Sequence, residues 1–383
     1  MKITILLFSF LLPVNAVCGQ KASDLNQKAF TFETAYIGDV VRNFSGGIKK
    51  GTCYLGLASL GLKFDTEAAG FWKGGQFLIN AANVHGGNPS ADLIGDFHIV
   101  SNIEADKMTY VHELWFSQTF GSFEAIAGLQ DLNSDFISSE YGSLFINSTF
   151  GTPSTIADNI HSPIYPYTAP GISLKWNINE RNILKIAAFD GLPEEREKKY
   201  YNLKWRFSKD QGVFVVSEYN FTGQLIKNLK SSYRTGAYVH THSPQPDSTL
   251  TGPAESRSNY GIYFIADQMI YQEPSDKGGV GIFCQLAFSP GSLNSHNTYL
   301  GLGLSWQGVF RNRDMDKLGV AVTNAGFHDT ARNGETVIEL NYLLQITDWF
   351  FVQPDIQYVI NPGDTVVTLD NSFVGLLRFG VTF

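Results

Sequence analysis

The stretch Phe373-Val374-Gly375-Leu376-Leu377-Arg378-Phe379-Gly380-Val381-Thr382-Phe383 decides how the rest of the chain is read. Counted back from Phe383 in twos, Val381, Phe379, Leu377, Gly375 and Phe373 fall on one side, and Thr382, Gly380, Arg378 and Leu376 on the other. Side chains alternate across a strand, so this is a strand with one apolar face and one partly polar face. Nothing follows Phe383 to cover the apolar face, and Arg378 stands in the middle of the other. A closed barrel in lipid accommodates both, because its outer face meets hydrocarbon and its inner face meets water.

Composition is compatible with that reading. Of 383 residues only 17% are charged, 14% are aromatic, and no apolar run beyond the first twenty residues is long enough for a spanning helix. Hydropathy does not register barrels, since alternation dilutes the apolar residues in every window. The formal net charge of -8 comes without any basic tract, which excludes nucleic acid as a partner. Lys2, the apolar run 3–12 and the segment 13–20 form a secretory signal peptide, residues 1–19, with cleavage after Ala16 or Gly19. A lipidated Cys18 is disfavoured because Val17 is not small. Residues 20–29 then form a short periplasmic segment, and 30–383 the barrel. Cys53 and Cys284 fall on strands far apart, so two free thiols are expected.

From Phe30 onward one unit repeats: about ten residues of period-two alternation, then a turn rich in Gly, Asn, Asp or Pro. About 17 such runs can be marked, one too many for a single-chain bacterial barrel, which has an even number. Short periplasmic turns must alternate with long outer loops. Walked from both ends, the alternation closes only if residues 200–207 are not a wall strand. Residues 191–211 are therefore assigned to an outer loop, leaving about 16 strands, enough for a water channel. The apolar Leu300, Leu302, Leu304 and Trp306 alternate with Tyr299, Gly301, Gly303 and Ser305, and aromatics such as Trp115, Phe116, Trp349 and Phe350 sit near strand ends.

With the strands laid out, the chain resembles the carbohydrate-selective porins of bacterial outer membranes, the OprB type. The resemblance is carried by Ser305-Trp306-Gln307-Gly308, Arg311-Asn312-Arg313-Asp314, the segment from Glu335 to Tyr342, Trp349, the segment from Gln353 to Gly363, and the final Arg378 to Phe383. Gly46-Gly47, Glu113 with Gln118, Gly128 to Asp131, Phe145 to Ser148 and Ala266-Asp267-Gln268 extend it over nearly all of the mature chain. The closing Phe383 is similar to the terminal signal read during barrel assembly. The chain departs at its front, lacking the Gly-Asp-Trp-Gly-type opening of many members. The resemblance implies an all-β transmembrane barrel with an inward-folded constriction loop, admitting small sugars by passive diffusion. It implies a location in outer-membrane lipid, no catalysis and no cofactor.

Passive passage of a sugar needs fixed groups that exchange hydrogen bonds with hydroxyls, and aromatic faces for the C–H faces of the ring. Parity places Glu113, Glu218, Arg234, Glu339, Asp355 and Arg378 on inner faces, as candidate pore-lining groups whose opposed charges set a transverse field. Each is equally explained as solvated lumen wall. The loop 133–170 is the candidate constriction, with Phe136, Tyr141 and Phe145 its foremost aromatics, because together with Phe150, Tyr165 and Tyr167 they are too many for a solvated outer loop. Packing of that loop on other loops at the mouth is the competing arrangement. His240 and His242 share a strand face but have no third metal ligand, and the charged run 194–199 reads as a solvated loop. Three classes of function remain open: a porin, whether sugar-selective or general for small solutes; a barrel-based outer-membrane hydrolase; and a secreted β-rich binding protein. Porins of this size are often homotrimers, and sequence supplies no interface.

Overall fold

The described residues of the computed structural model are 29–193, 201–205, 207–226, 228–244, 256–274, 278–328, 333–363 and 368–383. The leader at 1–19, nearly all of 20–29 and the charged run 194–199 lie outside them.

Sixteen strands within the described residues pair antiparallel with their sequence neighbours, and the last pairs with the first. They are β1 (Phe30–Ser45), β2 (Gly51–Asp65), β3 (Gly75–Gly86), β4 (Met108–Phe120), β5 (Phe123–Gln130), β6 (Ala169–Asn179), β7 (Asn182–Asp190) and β8 (Val213–Ile226). The second half comprises β9 (Leu229–Pro244), β10 (Ser256–Gln272), β11 (Gly279–Phe288), β12 (His296–Gln307), β13 (Lys317–Phe327), β14 (Gly334–Thr347), β15 (Phe350–Ile360) and β16 (Ser372–Thr382). The seam joins β1 to β16 with Asp39 opposite Arg378 and Val41 opposite Leu376. Closure leaves no unpaired edge, which a sheet in hydrocarbon requires. Among the described residues no helix is long and apolar enough to cross a membrane.

The terminal stretch forms β16 as its alternation predicts: Phe373 and Leu377 are exposed outward, Val374, Leu376 and Arg378 buried inward. The inner face of this half is not wet. Two outer loops, residues 87–107 and 131–168, fold down into the barrel and pack on the wall. Leu93, Ile94, Val100 and Ile103 of the first meet Val41, Leu55, Val84, Val359 and Val374. Phe136, Ile137 and Ile156 of the second meet Phe189, Phe214, Val216 and Tyr263, while Leu144, Phe145 and Phe150 meet Phe283 and Ala321. Apolar residues thus occupy both faces near the outer ends of many strands: lipid takes one face, a loop the other. Of the two arrangements open to loop 133–170, the inward one is found.

Residues 191–211 contain no wall strand among those described, only a short 3-10 turn at Lys209–Gln211. They read as a strand for a physical reason. Pairing of β4 with β5 stops at Leu114 and Leu129, whereas pairing with β3 continues to Met108. Tyr201 O accepts from Val111 N (2.9 Å), and Asn202 Nδ2 donates to Val111 O (3.0 Å), closing part of that gap. The positive φ angles of Tyr201 (51°) and Asn202 (64°) prevent an extended run.

Candidate constriction of the channel

All six groups picked out by parity point inward, and none is more than 8% exposed. What they touch differs from an open wall, since most of them hold the folded-in loops. Glu339 on β14 accepts from Ile146 N (2.7 Å) and Asn147 N (3.0 Å), fastening the tip of the loop 131–168. Asn341 Nδ2 also donates to Glu339 (2.9 Å), and Gln357 Nε2 donates to the neighbouring Asp355 (3.1 Å). Glu218 on β8 accepts from Ile137 N (2.8 Å) and Tyr263 Oη (2.9 Å), with Lys185 Nζ 3.3 Å away. Glu113 on β4 accepts from Ser134 Oγ (3.2 Å) and Trp115 Nε1 (3.2 Å). Arg234 on β9 pairs with Asp267 (3.2 Å), whose carboxylate also accepts from Ser139 Oγ (2.7 Å) and Tyr141 N (3.1 Å).

Arg378 is bidentate to Asp39 (2.8 Å for both bonds) and donates to Asn102 Oδ1 (2.7 Å), while Ser101 Oγ donates to Asp39 (2.7 Å). The β1–β16 seam therefore also anchors the loop 87–107. A second anchor lies on β14, where Glu335 accepts from Phe97 N (2.7 Å), His98 N (2.9 Å) and His98 Nδ1 (2.7 Å). A buried carboxylate is tolerable only when its lone pairs are met, and loop amides meet them here.

The three loop aromatics hold different positions. Phe136 and Phe145 are buried in the packing between loop and wall, and Tyr141 is half-buried. A Cβ on Gly281 would lie 2.1 Å from the Tyr141 ring, so the wall is bare where that ring sits. Burial, with Glu140 and Asp267 close by, holds the Tyr141 hydroxyl above its ordinary value. In the loop 87–107 burial pushes Glu104 up to about 7 against the hydrogen bond from Ser90, and burial beside Glu335 and Glu104 raises Asp96 well above the usual carboxylate range. Polar surface remains accessible around these anchors: Ser134 is exposed, Trp115 is half-buried, and the pair Glu140–Lys230 (2.8 Å) joins the loop 131–168 to β9, while Lys185 of β7, itself buried, holds Asp135 (3.1 Å).

Parity alone did not single out Asp39, Lys185, Asp267 and Glu335, although it was enough to find them. The insertion of loop 87–107 had a signal too, in the apolar Leu93-Ile94 and Ile99-Val100 of a segment read only as long. His240 Nε2 donates to Gly191 O (2.6 Å), and His242 Nδ1 lies 2.9 Å from Thr241 Oγ1. Among the described residues no three His, Cys, Asp or Glu side chains converge as a metal site would require. Cys53 and Cys284 are free and half-buried.

A closed barrel of sixteen antiparallel strands, apolar outside and narrowed inside by folded-in loops, is the architecture of an outer-membrane porin. The model of the carbohydrate-selective porin, OprB family, matches residues 49–383, and the chain belongs to that family. Porin B of Pseudomonas aeruginosa is 24% identical over 413 residues, covering 95% of this chain and 90% of that protein. The high-pH structure of Pseudomonas putida OprB superposes with a TM-score of 0.84 at 22% identity, covering 93% of this chain and 94% of that one. OmpT, an outer membrane protein of Vibrio cholerae solved in a trimer form, shares the fold with a TM-score of 0.55 at 11% identity, over 92% of this chain and 99% of its own. The chain is a bacterial outer-membrane channel, and its family points to passage without chemistry.

Proposed function

We propose that this channel passes small neutral sugars down their gradient through an opening bordered by the loops 87–107 and 131–168. Five of the six inward charges set that opening chiefly by holding the loops, Arg234 through Asp267, and the solute meets the groups at their edge. The observation that carries the reading is that edge: Trp115 offers an aromatic face, Ser134 a hydroxyl, Glu140–Lys230 charges of both signs in contact, and Asp135 a carboxylate held from behind by the buried Lys185. Paired charges present donors and acceptors to hydroxyls without a net field for a free ion. Binding stays weak because each group keeps a protein partner, and weak binding is what flux requires. No bond is made or broken, so no catalytic residue is assigned.

Residues 1–19 act in this reading as a cleaved export signal and 20–29 as a short periplasmic lead-in. A homotrimer is proposed as the assembly, supported by the trimer form in which the similarly folded OmpT was solved. The test is swelling of proteoliposomes in a panel of solutes. Mono- and disaccharides are expected to enter faster than charged solutes of equal size. Equal rates would leave a general diffusion pore, the second reading within this class.

A further inference from the structure

On β11 to β13 the loop 131–168 rests on one row of the inner wall. Gly281 of β11 pairs with Ser305 of β12, and Ser305 with Gly319 of β13. A Cβ on Gly281 would meet the Tyr141 ring at 2.1 Å, and one on Gly319 would meet Leu144 and Phe145 at 2.9 Å. The next row on the same face, toward the turn 308–316, is Gly279, Gln307 and Lys317. Gly319 and Ala321 face the loop inside the barrel, so Lys317 points inward with them. It is half-buried.

Lys317 differs from the other inward cations. Arg378, Arg234, Lys185 and Lys230 each have a carboxylate no farther than 3.2 Å away. Among the described residues no carboxylate lies within ion-pair distance of Lys317. Glu140, the residue before Tyr141, acts on it from farther off, and that carboxylate is already held by Lys230 at 2.8 Å. Glu339, higher on the neighbouring strand, is taken up by Ile146 N and Asn147 N under the loop. Two ammonium groups thus share one carboxylate, and the row below the loop carries positive charge that nothing adjacent cancels.

Tyr141 stands beside that charge. Its N donates to Asp267 (3.1 Å), which Arg234 fixes, and Gly281 takes one side of its ring. Gly281 and Lys317 are two strands and two residues apart, about 12 Å along the wall. The lysine stem narrows that gap to the width of one sugar ring.

We propose that Tyr141 and Lys317 form a subsite for cyclic sugar acids, in which the C–H face of the pyranose lies on the phenol ring and the carboxylate meets the ammonium. It rests on the opening proposed above, since Glu140 borders both. The solute supplies the negative charge that the row lacks, and a hydrated lysine releases it readily. A neutral sugar uses the ring face alone, whereas an amino sugar brings a further cation to a positive row. Glucose stays faster than either, because a charged solute sheds more hydration at the edge.

The test is uptake of labelled glucose, glucuronate and glucosamine by the full-length channel in proteoliposomes, at pH 6 with equal salt on both sides. Glucuronate is expected to enter faster than glucosamine. Lys317→Gln is expected to cut that ratio about fivefold, the effect of one charge at contact distance in water, and Lys317→Arg to keep it. An unaltered ratio in Lys317→Gln with a heat-resistant barrel overturns the proposal, as does wild-type glucosamine entry as fast as that of glucuronate. Tyr141→Ala is expected to slow glucuronate more than gluconate, its open-chain counterpart, and equal slowing removes the ring contact and the subsite with it. Glucose no faster than charged solutes, with the Lys317 effect intact, defeats the neutral-sugar reading alone. Glucose preference without a Lys317 effect defeats the subsite alone.

Discussion

Replacing Arg378 with alanine separates an anchor from a bare wall. The guanidinium makes two bonds of 2.8 Å to Asp39 and one of 2.7 Å to Asn102, and both charged groups are essentially inaccessible. Removing one partner of a buried pair leaves a desolvated charge, a loss of about 3–5 kcal/mol. Ser101 still donates to Asp39, and water reaches the cavity left behind, so part of that is recovered. The remaining cost is local, because the Arg378–Asp39 pair spans a seam that ten backbone-register positions also close. It falls on the loop 87–107, which loses its Asn102 anchor. About 2 kcal/mol at that anchor changes the docked-to-undocked ratio roughly 30-fold.

Arg378→Ala is therefore expected to raise single-channel conductance in planar bilayers, to speed entry of disaccharides in swelling assays, and to expose residues 87–107 to protease. The barrel should still resist SDS until heated. The double variant Asp39→Ala with Arg378→Ala should recover much of the heat resistance lost by the barrel, because no uncompensated charge remains, while the loop, now without its Asn102 and Ser101 bonds, stays loosened. Wild-type conductance together with wild-type protection of the loop in Arg378→Ala would refute the anchoring argument. A double variant no better than the single one would show that the pairing carries no coupling.

Three further outcomes test the other anchors. Glu339→Gln presents an NH2 group to one of the two amides now accepted, so exchange at Ile146 and Asn147 should speed up by roughly tenfold, for about 1.5 kcal/mol lost; unchanged protection there would remove Glu339 from the role. Gly281→Val places a branched side chain where the Tyr141 ring now sits, and altered conductance with a heat-stable barrel is expected, whereas a wild-type current would show that the ring is not seated on that wall. Glu104 has its folded-state pKa raised to about 7 by burial, so its contribution to docking is fully present below about pH 4.5 and is lost as pH rises through 7. Protease protection of the loop 87–107 should weaken from pH 5 to pH 8 and do so less steeply in Glu104→Gln, where Asp96 alone remains raised; a pH dependence unaltered by the substitution would place it elsewhere.

The alternation in residues 373–383 and its repetition settled the barrel, the strand count and the loop order, because a strand in lipid must expose its apolar side chains at every second position whatever surrounds it. The inward charges were legible for the same reason, and so was the aromatic excess of the loop 131–168. Their partners were not legible. Asp39 and Arg378 meet only because the sheet closes, Glu339 meets Ile146 only because a loop from the other side of the barrel comes down to it, and no local pattern encodes a contact between residues 193 positions apart. Residues 200–207 show the same limit from the other direction. Their composition reads as a strand, and two positive φ angles with a gap between β4 and β5 make Tyr201 and Asn202 a seal instead. The period of the sequence thus determined which face each residue takes, and closure of the sheet with its infolded loops decided what each inner group holds.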